Sequence, residues 1–235
     1  MKDISSTGSF VDFTLENFIY VDKTVYIPQL VKLKRVFISR PRRFGKSLTL
    51  DTIATLFETG VEPYFKGTWI YDKWTEPTYP VLRLNFLNFD KNTLEKFNNK
   101  LNSKITEFAE LNQVTTYKEK EEAEDSIDHL LEQLRLEGRQ IVILIDEYDC
   151  QMTANINNET LYKQFQEKIK SFYATIKNKW AIKFLLITGV TKTKNSSVFS
   201  GTDINDITNY SPYSQMIGFT RDEIKKYCYE RDRVK

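Results

Sequence analysis

Gly45-Lys46-Ser47 is a tripeptide whose residue types and order could do chemistry on a phosphate group. A lysine ammonium offsets phosphate charge, a serine hydroxyl can join the oxygen shell of a hard divalent cation, and glycine lets backbone approach an anion closely. About a hundred residues later stand Asp146 and Glu147, adjacent carboxylates at the end of the apolar run IVILI. Burying such a pair is costly unless a cation offsets it. That suits Asp146 to contact magnesium and Glu147 to orient and polarise an attacking water. A third apolar run, AIKFLLIT, ends in Thr188, whose hydroxyl could bond that water or a terminal phosphate.

These groups work together only if strands and helices deliver them to one edge. In RVFISRPRRFGKSLTLDTIATLF, the run RVFIS suits a buried strand ending at Ser39, and Pro41 and Gly45 break it. From Lys46 the apolar positions Leu48, Leu50, Ile53, Leu56 and Phe57 fall at helical spacing. A helix N-terminus behind a tight loop binds anions through its free N–H groups and dipole. The expected phosphate-binding set is therefore Arg42, Arg43, Phe44, Gly45, Lys46, Ser47 and Leu48. One position departs from the template G-x-x-x-x-G-K-[ST]: Arg40 stands where glycine is expected, with Pro41 after it to preset a different turn. The plain alternatives are a strand–turn–helix with a basic surface loop, and a strand that exits into an acidic turn.

YPVLRLNF reads as a further strand, and residues 92–138 as mostly helical, with stripes Leu94, Phe97, Leu101, Ile105, Phe108, Leu111 and Ile127, Leu130, Leu131, Leu134. The charged run KEKEEAEDSID between them reads as a solvated connection or helix face. Leu161, Phe165, Ile169, Phe172, Tyr173 and Ile176 mark another helix. Strands carrying continuous apolar runs and alternating with helices predict an α/β fold with a mostly parallel sheet covered on both faces.

Composition removes other classes. A net charge of +2 excludes a bulk polycation. The aromatic residues sit at core spacing and form no stacking platform, so direct nucleic-acid binding is not expected, although Arg40, Arg42, Arg43, Lys192 and Lys194 could form a patch. Lys192 or Lys194 could also approach phosphate. His129 is a lone histidine with a solvated or capping role, and Cys150 and Cys228 form no metal or redox pair. MKDISSTGSFVDF lacks a signal-peptide core and no run approaches a membrane span, which predicts a cytoplasmic chain without membrane contact.

Five ordered stretches, FIYVDKTVYIPQLV, FISRPRRFGKSLTLDTIATLF, ILIDEYD, LLITGVTKTKNSSVFSGTDINDIT and IGFTRDEI, resemble the bacterial AAA-ATPase-like family from about Phe10 to Tyr227. That family typically carries a C-terminal PD-(D/E)XK nuclease-like domain, and its loop commonly reads R-P-R-R-F-G-K-S, so Arg40 matches its pattern. The resemblance implies a P-loop NTPase fold of the AAA-like, additional-strand class, with ATP and Mg2+ as ligands. It implies ATP binding by Lys46 and Ser47, metal contact by Asp146 and catalysis by Glu147; the phosphate-sensing role of Thr188 rests on its place at the end of AIKFLLIT. It also implies adenine contacts from Tyr20 and Val21.

On this basis residues 1–34 form a segment packed on the core near the adenine, residues 35–220 the ATPase-like domain, and residues 221–235 the start of a truncated C-terminal helical region. Fast turnover would then need an arginine in trans, from self-association or a nuclease-like partner, unless Arg42 or Arg43 serves in cis. The paired Asp146-Glu147 favours hydrolysis. The alternative is a non-hydrolysing, nucleotide-gated module that holds a nuclease-like domain or another partner.

Overall fold

The computed structural model describes residues 7–16, 18–190, 199 and 203–229. Its centre is one sheet of β1 (Arg35–Ser39), β2 (Val81–Asn85), β3 (Ile141–Asp146), β4 (Ile182–Gly189) and β5 (Asn205–Asp206), in the order β2-β3-β4-β1-β5. Every pairing is parallel. The strand that carries Thr188 therefore lies between the strand feeding the Gly-Lys-Ser loop and the strand ending in Asp146, which is the additional-strand arrangement. Residues Ile38 and Thr188 are direct partners across β1 and β4.

The runs RVFIS and IVILID are buried at every position because both sheet faces are covered. Val36, Ile38, Val142, Leu144, Phe184 and Leu186 pack on one face against α2 (Ile27–Lys32) and α3 (Lys46–Thr59). Phe37, Ile143, Ile145, Leu185 and Ile187 pack on the other face against α4 (Leu94–Leu111), α5 (Ala123–Leu136) and α7 (Glu159–Ile176). The described residues also include the short helices α1 (Phe10–Leu15), α6 (Cys150–Ala154) and α8 (Arg221–Ile224), the last continued by a π-helical turn over Lys225–Tyr229.

Two strands differ from the expected pattern. β2 is an edge strand that alternates, burying Leu82 and Leu84 while Arg83 points to water and pairs with Asp51 and Glu58. β5 is two polar, exposed residues beside β1, too short to leave an apolar period in the sequence. The charged run divides between the two readings. Its first part is a connection whose carbonyls at Lys120 and Glu121 accept from Asn102 and Asn98. From Ala123 it is the first turns of α5, where Ala123, Glu124, Ser126 and Ile127 are buried and not solvated. Leu111, expected on the α4 stripe, is exposed at the helix end.

Candidate functional site

The loop between β1 and α3 solves its turn without a glycine at position 40. Positive φ falls instead at Arg43 (66°) and Gly45 (91°). Arg40 donates its N–H to Gly189 O at 3.1 Å, and its Nη1 donates to Ser39 O at 2.9 Å and Thr208 O at 2.6 Å. Its side chain thus ties the end of β1 to the residues after β5 and stays out of the loop. Gly45 is the N-cap of α3 and has no side-chain cap, so the first-turn N–H groups are left for another acceptor.

Lys46 opens α3 and is almost fully buried. Its Nζ donates to Pro41 O at 3.2 Å and stands 3.5 Å from Glu147 Oε1. Ser47 Oγ donates to Asp146 Oδ2 at 2.5 Å, and Thr188 Oγ1 donates to the other oxygen, Oδ1. That same Oδ1 accepts the Glu147 N–H at 3.0 Å. Glu147 holds a left-handed backbone (φ 55°), a strained conformation for a non-glycine residue and one that recurs at functional sites. Behind it, Tyr148 N–H donates to Thr188 O at 3.1 Å. The Tyr148 ring lies so close to Gly189 that a Cβ there would meet its Cδ1 at 2.4 Å, which explains the glycine after Thr188.

Above this cluster is a cavity of about 780 Å³, within the size range of small-molecule sites. Arg42, Arg43, Phe44, Gly45, Lys46, Ser47 and Leu48, the set expected at the loop, line it, together with Glu147, Tyr20 and Val21. Asp146 and Thr188 do not. They lie one layer beneath, with Thr188 completely buried and its hydroxyl engaged by Asp146, not directed at the cavity. Burial pushes the Tyr20 phenol well above its ordinary range, so it stays neutral, within 3.4 Å of Thr52 Oγ1.

Other lining residues escaped sequence reasoning: Lys23 and Ile27 from the N-terminal side, and Met216, Phe219, Glu223, Ile224 and Tyr227 from the C-terminal side. One signal was available, because Thr220-x-x-Glu223 spells a capping box and the box is formed. Lys192 and Lys194 lie outside the described residues.

The donor set fits a magnesium ion. Asp146 is 5% exposed, and its carboxylate is held by two hydroxyls and an N–H, with no ion pair among the described residues. A buried carboxylate bonded to a serine hydroxyl, beside the uncapped N-terminus of α3, offers the hard oxygens that magnesium uses when phosphate and water complete its shell.

A parallel sheet with its extra strand between the loop strand and the acidic strand, and a Gly-Lys-Ser helix start facing Asp146-Glu147, defines a P-loop NTPase-like domain. The chain belongs to the predicted AAA-ATPase family, whose profile matches residues 5–199. Membership supports a nucleotide-binding, ATPase-like role, with ATP the implied ligand. The chain is also similar to an Azotobacter chroococcum mcd 1 protein described as "Uncharacterized protein in vnfD 5'region", at 33% identity over 219 residues. That match covers 89% of this chain and 41% of the relative, so the chain spans about two fifths of the relative's length. No solved structure matches the chain. Among the described residues no helix is long and apolar enough to cross a membrane.

Proposed function

We propose that this chain binds ATP with Mg2+ in the cavity above α3 and hydrolyses it. The observation that carries this reading is the Asp146 carboxylate, buried without an ion pair among the described residues and joined to Ser47, which lines the cavity. Mg2+, when bound by Ser47 and Asp146, supplies charge compensation at the phosphate oxygens. Lys46 exchanges Pro41 O and Glu147 for the β- and γ-phosphates, and the first-turn N–H groups of α3 take further phosphate oxygens. Arg42 and Arg43 border the same space and offer charge compensation in cis.

Glu147 orients the attacking water. The water oxygen bonds to the γ-phosphorus as the bond to the β,γ-bridging oxygen breaks, giving ADP and phosphate, and Glu147 accepts the proton. Thr188 acts through Asp146 as a positioning residue, a role supported by its hydrogen bond to Oδ1. Tyr20 and Val21 take the adenine on the apolar side of the cavity. In this reading residues 1–34 support the base, residues 35–220 form the ATPase-like domain, and residues 221–235 begin a helical region, of which 230–235 lie outside the described residues.

Glu147→Gln tests the assignment: Mg-ATP binding persists and turnover is lost. A second reading is a non-hydrolysing module gated by nucleotide, holding a nuclease-like domain or a second copy that could supply an arginine in trans. It is favoured by one observation, the engagement of Glu147 by Lys46 at 3.5 Å. Turnover by the native chain no higher than that of Glu147→Gln would select it.

A further inference from the structure

The cavity has two walls of unequal firmness. On the N-terminal side Lys23 is flanked by pegs. Asp22 Oδ1 accepts Thr24 N–H at 2.8 Å, Asp22 Oδ2 accepts Trp69 N–H at 2.6 Å, and buried Thr24 Oγ1 accepts Ile70 N–H at 3.2 Å. On the C-terminal side the wall is α8, a four-residue helix, and the π-helical turn Lys225–Tyr229 that continues it, with no side chain of residues 221–227 buried. An element with so little buried surface sits at the low-stability end of a fold and is placed by few contacts.

One of those contacts is specific. Within α8's capping box, Thr220 Oγ1 accepts Glu223 N–H at 3.2 Å and Glu223 Oε2 accepts Thr220 N–H at 2.7 Å. The remaining oxygen, Oε1, is 2.5 Å from Lys23 Nζ, with the two side chains only 24% and 15% exposed. A single carboxylate therefore caps the helix and ties it to the pegged segment. Both partners of the pair line the cavity, as do Ile224 and Tyr227 just beyond it. Nearer the loop, the half-exposed Phe44 ring packs on Gly218, where a Cβ would come within 3.1 Å of Cδ1.

We propose that the Lys23–Glu223 ion pair is a clamp that holds the C-terminal wall closed over the cavity, so that both residues are positioning residues for the nucleotide. This rests on the nucleotide reading above. With the clamp made, Phe219, Ile224 and Tyr227 complete the cavity wall; with it broken, α8 is free to leave. The pair needs little further backbone ordering on the Lys23 side, because the segment around it is already held by Asp22 and Thr24.

Three substitutions separate charge from shape. Lys23→Met keeps the aliphatic stem, Glu223→Gln keeps an acceptor for the capping box, and Lys23→Arg keeps the charge. Mg-ATP titration calorimetry is paired with amide hydrogen exchange over residues 220–227, with and without Mg-ATP. In the native chain Mg-ATP slows that exchange. Lys23→Met and Glu223→Gln each raise the Kd about five-fold and lose most of the protection, the double substitution is no worse than either alone, and Lys23→Arg behaves as native. Unchanged Kd and protection in both single variants, or additive effects in the double, overturn the clamp. If the native chain binds no Mg-ATP, the nucleotide reading fails separately. The clamp is then read from exchange without nucleotide, where faster exchange in Lys23→Met sustains it and unchanged exchange overturns it.

Discussion

Thr188→Val removes one oxygen from the centre of the site and changes almost nothing else. Thr188 is fully buried in β4, its hydroxyl donates to Asp146 Oδ1, and valine matches its shape and suits a strand. The cost is the loss of a hydrogen bond to a buried ionised group, about 1.5–3 kcal/mol. For a chain of this size each kcal/mol shifts Tm by about 2–4 °C, so the variant should melt roughly 3–12 °C lower. Asp146→Asn sets the control. With the charge gone, the same hydroxyl makes a neutral hydrogen bond worth about 0.5–1.5 kcal/mol, so Thr188→Val should cost roughly half as much in that background. Urea unfolding of the four chains, followed by circular dichroism, gives the cycle. A Thr188→Val loss below about 0.5 kcal/mol, or an equal loss in both backgrounds, would refute an Asp146 carboxylate fixed by Thr188.

Other substitutions probe the remaining geometry. Gly189→Ala would drive a Cβ into the Tyr148 ring at 2.4 Å and should destabilise the chain by about 1–3 kcal/mol in urea unfolding; native-like stability would show that the ring yields freely. Arg40→Gly restores the loop template yet should leave Mg-ATP affinity unimproved and lower stability by about 1 kcal/mol, because Arg40 bonds Thr208 O and needs no positive φ; tighter binding by calorimetry would contradict this. Burial pushes the Glu223 carboxyl up, but Lys23 and the Thr220 N–H outweigh it and hold it below the ordinary value of 4.5. A depressed carboxyl stabilises the fold above that ordinary value, and the contribution is lost as pH falls through the lower folded pKa. An NMR titration of the Glu223 carboxyl carbon should give a midpoint below 4.5 that rises in Lys23→Met; a midpoint above 4.5 in the native chain would be inconsistent with the clamp.

The sheet was legible because its central strands are buried on both faces, which forces continuous apolar runs such as IVILID and FLLIT. The loop-to-helix start was legible because Gly45-Lys46-Ser47 combines backbone freedom, charge and hydroxyl at a strand end. The depth of Thr188 was not. Alternation along AIKFLLIT gives a face, but it does not reveal that Asp146 claims the hydroxyl beneath the cavity floor. β5 left no signal because two polar residues have no period. The C-terminal wall was read only in part: a helical start at residue 221 was expected, but Phe219 just before it, Ile224 within α8 and Tyr227 in the turn after it form no buried stripe that would mark them as cavity residues. Arg40 read as a defect because the template presumes that every loop turns at that position, whereas this loop turns at Arg43 and Gly45.

Titration calorimetry of Mg-ATP into the native chain and into Lys46→Ala tests most directly whether the Arg40-containing loop holds phosphate. Saturable binding by the native chain, lost in a folded Lys46→Ala, is the expected result. No binding by the native chain, or equal binding by both, would contradict a nucleotide site built on Lys46, Ser47 and Asp146.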